Sequence, residues 1–319
     1  MPLHPKIQEF LDSQPLQPAD YIPTEEEMRS RNQEMVRASS KGPEVFSVED
    51  RTIDYIEHEI PIRIYTPDEK GTFPLFIYLH GGGFVIGDLD SHDVICRNIS
   101  NYSGHKVVSV DYRLAPEHPF PAAIHDCYAA FEWVVQNAGK LDGDSSQITI
   151  GGDSAGGNLA TVVCLMARDR KNDSISKQVL FYPVTDYFSV HEESAYGSYG
   201  KYDQHGLPCL RMSEFWRHYT ENATADKKDP YISPIKAESL ADLPPAFIVT
   251  AELDVLRDEG EEYAKRLEQD GVPVVLKRVE SVNHGYLRSF PEIEQSTIVF
   301  QAVSRFLNQS VEETVHSHK

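Results

Sequence analysis

From residue 45 onward, short apolar runs alternate with helical periods, and this alternation restricts the available folds more than any other feature. PLFIYLH (74–80) and KVVSVDY (106–112) are the continuous apolar runs that strands buried on both faces need. At 122–135 the period changes. Ile124, Cys127, Tyr128, Phe131, Val134 and Val135 fall on one helical face. A strand at 147–150, a helix from 155 to about 170 and the strand QVLFY follow. AFIVTAE, the helix DEGEEYAKRLEQDG, the strand PVVLKRV and a last helix near 291–308 continue the series. The expected fold is α/β, with a mostly parallel central sheet and helices on both faces. VFSVEDRTIDYI and EIPIRIYTP precede it as two strands joined by a turn through Glu57 and His58.

Residues 184–228 interrupt the rhythm. They carry Tyr187, Phe188, Tyr196, Tyr199, Tyr202, Phe215, Trp216 and Tyr219 in a polar background. Ligands of open α/β sheets bind at the carboxyl ends of the strands, so this insertion is expected to form a lid there. The alternative is a surface helical pair packed on its own aromatics. Residues 1–44 are polar and dotted with proline, with short helical patterns such as IQEFL and EEEMRSRNQEMVRA.

Charge and cysteine usage limit the partners. Fifty acidic against 30 basic residues give a formal charge of −20. Such a field repels phosphate backbones, so nucleic acid is not an expected partner. The start, MPLHPKIQEFLDSQ, lacks the pattern of a secretory signal. No run approaches the roughly 18 apolar residues of a membrane span, so no membrane partner is expected. Cys96, Cys127, Cys164 and Cys209 are widely spaced, which suits a reduced, cytoplasmic protein. No HExxH occurs, and the polar tail 311–319, with His316 and His318, reads as frayed rather than metal-binding. No metal or cofactor is expected, and the assembly state, a homo-oligomer included, stays open.

Between the strand 147–150 and its helix stands Gly152-Asp153-Ser154-Ala155-Gly156, a G-x-S-x-G pattern. In a strand–turn–helix context this places the serine at the tip of a sharp turn, with the helix N-terminus adding positive potential. The competing reading is a plain β–α turn with a capping Ser or Asp. Phosphate-loop readings fail, because neither GK[ST] nor G-x-G-x-x-G is present. A serine nucleophile needs a base, and the base needs an orienter. Downstream, the strand 249–253 runs out to Asp254, and the strand before Asn283 runs out to His284. Asp258 and Glu259 are rivals for the acid, but the first turn of a helix explains them as capping residues. Glu252 is a second rival. Leu79-His80-Gly81-Gly82-Gly83-Phe84 leaves the strand 74–80 with three glycines, whose N–H groups, with that of Ala155, can face a developing oxyanion.

Together these pieces resemble the hormone-sensitive-lipase-like branch of the α/β-hydrolases, which includes bacterial acetyl esterases and carboxylesterases. HGGGF lies at 80–84, DYRLAPE at 111–117, GDSAGGNLA at 152–160, AELDVLRDEG at 251–260 and NHG at 283–285. GDLDSHD (87–93) resembles the segment after the glycines. The likeness runs from about 45 to 308. It implies an α/β-hydrolase fold with a helical cap and a triad of Ser154, Asp254 and His284. It also implies an oxyanion hole of Gly82, Gly83 and Ala155, shaped by His80, Gly81, Gly152, Asp153 and Gly156. The division it suggests is a cap segment 1–44, a catalytic domain 45–183 and 229–310, a cap insertion 184–228 and a tail 311–319. Val255 and Tyr286 depart from the family's usual proline and phenylalanine without removing a reacting group. The expected activity is hydrolysis of short-chain carboxylic esters, the partner being a small-molecule ester. An amidase or deacetylase on the same residues is the alternative. A non-catalytic receptor is disfavoured, because the plant gibberellin receptors that resemble this family lack the histidine present here as His284.

Overall fold

Two apolar faces on each central strand call for helices on both sides, and the computed structural model has that form. It describes residues 1–309 except 16, 17, 19, 20, 39, 40, 57 and 222. Eight strands form one sheet: β1 (Ser47–Tyr55), β2 (His58–Thr66), β3 (Phe73–Leu79), β4 (Lys106–Val110), β5 (Gly143–Asp153), β6 (Ile175–Phe181), β7 (Ala246–Leu253) and β8 (Val274–Asn283). Their spatial order is β1-β2-β4-β3-β5-β6-β7-β8. β1 and β2 pair antiparallel, as do β2 and β4, while every pair from β4 to β8 is parallel.

Alternation along β3 sorts its side chains. Leu75, Ile77 and Leu79 enter one apolar core, and Phe76 and Tyr78 enter the other. The first core is closed by α4 (Ala122–Asn137), α5 (Ala155–Asp169) and α8 (Arg257–Gln269), through residues such as Phe131, Leu159 and Tyr263. The second is closed by α3 (Asp93–Ser103) and α10 (Glu294–Asn308), through Ile95, Ile99, Phe300 and Val303. Parallel strands need such crossovers, because the chain must return to the same end of the sheet.

Four helices lie outside this plan: α1 (Pro5–Ser13) and α2 (Glu25–Ala38) before the sheet, and α6 (Gly197–Tyr202) and α7 (Cys209–Thr220) between β6 and β7. A one-turn helix, α9 (Tyr286–Ser289), follows β8. Three local expectations change. His58 opens β2 instead of lying in the turn, and Glu57 lies outside the described residues. β5 begins before residue 147, because Phe73 and Pro74 of β3 pair with Gly143 and Asp144. α3 supplies a helix that the strand–helix series above does not include. The tail 311–319, with its two histidines, also lies outside the described residues.

Candidate active site

Ser154 stands between β5 and α5, where the backbone must reverse within one residue. It adopts φ 56° and ψ −120°, a left-handed strain of about 1–3 kcal/mol for a residue with a Cβ. Its N–H donates to the Phe181 carbonyl at 2.9 Å, and its own carbonyl accepts the Val184 N–H at 3.1 Å. These bonds tie the turn to the end of β6. Gly156 shows why the turn carries no side chain there, since a Cβ would lie 1.9 Å from the Leu79 carbonyl oxygen. Gly152 is constrained in the same way, by that oxygen on one side and Gly156 on the other.

β7 and β8 end on the same side of the sheet as β5, and there Asp254 and His284 meet the serine. The Ser154 hydroxyl lies 2.9 Å from His284 Nε2. His284 Nδ1 lies 2.7 Å from Asp254 Oδ2. An ionised carboxylate only accepts, so Nδ1 carries the proton and Nε2 is free to accept from the serine. Asp254 is buried, and its Oδ1 accepts the Leu256 N–H at 3.0 Å. The Tyr182 ring packs edge-on against the imidazole, 4.9 Å between centroids. The three residues singled out from sequence therefore form one hydrogen-bonded chain.

The glycine loop after β3 lies beside them. Gly82 has φ +122° and Gly83 φ +60°. Among the described residues, neither N–H donates to a backbone or side-chain acceptor. A Cβ on Gly83 would fall 2.2 Å from the Phe215 ring, so α7 lies directly against this loop. Ala155, buried, opens α5 next to the serine.

What holds the loop is a buried polar set. Asp153 Oδ1 accepts the Gly81 N–H at 2.8 Å and the Tyr78 hydroxyl at 2.5 Å, and His92 Nε2 stands 3.4 Å away. Burial alone would raise the Asp153 pKa. His92 and the two donors outweigh it and hold the carboxyl well below its ordinary range. His80 is fully buried, and burial followed by the neighbouring His92 pushes its pKa down to about 4. Its neutral ring donates from Nδ1 to the Gly81 carbonyl at 2.8 Å. Tyr112 stacks on that ring at 4.2 Å, and its hydroxyl donates to the His80 carbonyl at 2.6 Å.

Tyr78, His92 and Tyr112 escaped the sequence reading as site residues. A signal existed for the two tyrosines, because a phenol inside a buried run usually finds a partner for its O–H. The rivals for the acid have other work. Glu252 Oε2 accepts the Ser281 N–H at 2.9 Å. Asp258 accepts the Ser198 N–H at 2.8 Å, and Glu259 is fully buried. Neither caps α8, whose N-cap position is Leu256 and has no side-chain cap bond. Among the described residues no group of His, Cys, Asp or Glu is arranged to hold a metal ion.

Residues 76–288 match the family described as alpha/beta hydrolase fold. An arylesterase from Saccharolobus solfataricus is 37% identical over 95% of this chain and 98% of its own length. The carboxylic ester hydrolase LipN of Mycobacterium tuberculosis is 42% identical over 78% of this chain and 67% of its own. A solved hyperthermophilic esterase from the archaeon Pyrobaculum calidifontis superposes with a TM-score of 0.87 at 38% identity, covering 99% of this chain and all of that one. The chain belongs to the α/β-hydrolase fold family. Within it the chain falls in the hormone-sensitive-lipase-like branch, among proteins named as esterases.

Proposed function

We propose that this protein is a serine carboxylesterase acting on small esters through Ser154, His284 and Asp254. The Ser154–His284–Asp254 hydrogen-bond chain carries the reading. His284 Nε2 takes the serine proton as Oγ attacks the ester carbonyl, then gives it to the leaving alcohol. Asp254 keeps the imidazole tautomer and stabilises its cation. The N–H groups of Gly82, Gly83 and Ala155 take the charge that develops on the carbonyl oxygen. Water, deprotonated by His284, then releases the acid from the acyl-enzyme.

The acyl pocket suits short chains. α7 brings Phe215 against Gly83, and Tyr219 stacks on Phe84 at 3.8 Å. Trp216 is fully buried beside them, 5.3 Å from Phe84. In this reading Phe215, backed by these rings, walls the acyl side of the glycine loop. Segments 1–44 and 184–228 act as the cap in this reading. Among the described residues no helix is long and apolar enough to cross a membrane, and a reducing cytoplasm suits the four free cysteines.

The test is a panel of p-nitrophenyl esters and the matching anilides, run with and without a serine-directed phosphonate. Esters should turn over, anilides should lag far behind, and the phosphonate should label Ser154. Ser154→Ala should lose on the order of 10⁴-fold or more in kcat while staying folded. Near-wild-type turnover by that variant would refute the assignment.

A further inference from the structure

Glu259 is a fully buried carboxyl that the proposed chemistry leaves unused. It lies in the first turn of α8, just beyond the turn that carries Asp254. Its Oε1 accepts the Thr185 N–H at 2.7 Å and the Asp186 N–H at 3.4 Å. Its Oε2 accepts the Tyr199 hydroxyl at 2.8 Å, and its backbone carbonyl accepts the Thr185 hydroxyl at 3.1 Å. Thr185 and Asp186 follow β6, and Tyr199 belongs to α6. The next residue of α6 toward its start repeats the pattern. Ser198 N–H donates to Asp258, and Ser198 Oγ donates to the Val255 carbonyl at 2.6 Å. Val255 directly follows Asp254. One small cluster thus joins the segment after β6, the helix α6 and the turn of the candidate acid.

The charges around Glu259 are mostly of its own sign. Asp186 faces it from the segment after β6 and is itself held by Lys236 Nζ at 2.7 Å and the Tyr196 hydroxyl at 2.9 Å. Tyr199 faces it from α6, with Cys209 bonded to the Tyr199 carbonyl behind. Asp258 and Asp254 lie on its own side. Among the described residues no cation forms an ion pair with it. Burial pushes the Glu259 pKa up to about 8, although its hydrogen bonds pull the other way. The neutral acid also suits the cluster. Oε1 still accepts two N–H groups, and the Oε2 hydroxyl donates to Tyr199 Oη. A glutamine side chain offers the same oxygen and donor.

We infer that Glu259 is a positioning residue, whose buried carboxyl clamps α6 and the segment after β6 to the Asp254 turn and so fixes the carboxylate that orients His284. This rests on the triad reading above. A misplacement of about 1 Å in such a constellation costs on the order of 10²-fold in rate.

The experiment measures kcat and KM on p-nitrophenyl acetate, with circular dichroism as the check of folding. Glu259→Ala should lower kcat on the order of 10- to 100-fold while moving KM by less than about threefold. Glu259→Gln should stay within about threefold of wild type near pH 7, because it mimics the neutral acid. A folded Glu259→Ala with kcat within about threefold of wild type overturns the inference. So does a Glu259→Gln as damaged as the alanine variant. Should Glu259→Ala fail to fold, Tyr199→Phe decides. Losing one hydroxyl should cut kcat about three- to tenfold in an intact fold, and an unchanged kcat overturns the clamp. Ser154→Ala in the same assay separates the two ideas. If it keeps activity, the triad reading fails and takes the clamp with it. If it is inactive and wild type is not, the Glu259 and Tyr199 variants judge the clamp alone.

Discussion

Asp153→Ala is expected to lower stability and turnover together, and the two effects can be worked from separate contacts. The substitution strips the acceptor from the Gly81 N–H and from the Tyr78 hydroxyl, both buried. An orphaned buried donor costs about 1–3 kcal/mol, so the pair sums to about 2–6 kcal/mol. Relief of a desolvated carboxylate offsets part of this, which brings the expected loss to about 2–4 kcal/mol. Catalysis suffers by a different route. With Gly81 released, Gly82 and Gly83 no longer hold their N–H groups at one place. Loss of a single oxyanion donor costs about 10²–10³ in kcat. KM for a small ester should change little, since those bonds strengthen only in the transition state. Asp153→Asn should fall between, because its amide oxygen still accepts the Gly81 N–H. The assays are urea unfolding, read as a shifted midpoint at constant slope, and kcat on p-nitrophenyl acetate. The pH sign is fixed as well. The folded pKa of Asp153 lies below its unfolded value of 3.8. Its contribution is therefore present above that pH and is lost as the pH falls through the folded value. The stability gap between wild type and Asp153→Ala should narrow only in strong acid. A variant within about 0.5 kcal/mol of wild type, with kcat within threefold, would refute the brace.

Asp254→Asn should lose about 10³–10⁴-fold in kcat through the wrong imidazole tautomer, while Glu252→Gln should stay far milder; kinetics that reverse the order reassign the acid. Efficiency should peak on acyl chains of about two to six carbons and show no jump when an emulsion forms, since each further buried CH₂, worth about 0.8 kcal/mol, meets the Phe215 wall. Phe215→Ala should shift kcat/KM toward octanoate relative to acetate, and an unchanged profile would place the wall elsewhere. For stability, the raised Glu259 pKa gives a term fully present below 4.5 and lost as pH rises through about 8. Wild-type Tm should therefore fall relative to Glu259→Gln across that window, and parallel curves would contradict the buried neutral acid.

The fold was legible because its signal is periodic. Continuous runs such as PLFIYLH suit strands covered on both sides, and β3 is buried along nearly its whole length. α3 was missed for a physical reason. Its sequence, DVICRNISNYS, mixes β-branched residues with Asn and Ser, which are weak helix formers. Topology would have restored it, since β3 and β4 are parallel and need a crossover between them. The serine turn and the glycine loop were legible because close backbone approach leaves a composition signature. The brace behind them was not. Asp153 was singled out as shaping the loop, but its companions Tyr78, His92 and Tyr112 come from three other stretches, and nothing in their spacing says that they share its buried volume.

The acids after β7 show the same limit at finer grain. Glu252, Asp254, Asp258 and Glu259 crowd into eight residues. Strict strand alternation would send Glu252 and Asp254 to the same face. Pairing between β7 and β8 breaks register between Ala251 and Leu253, and Ser281 on β8 takes φ 62°. A bulge of this kind re-aims side chains at the rim of a sheet. Within it, Glu252 turns to the Ser281 N–H, while past it Asp254 reaches His284 Nδ1. Three residues further, helical geometry replaces the strand, and Glu259 is carried under α6 instead of toward solvent. Which carboxylate meets the imidazole is thus decided by one irregularity in pairing, a property of two strands that neither strand's sequence displays alone.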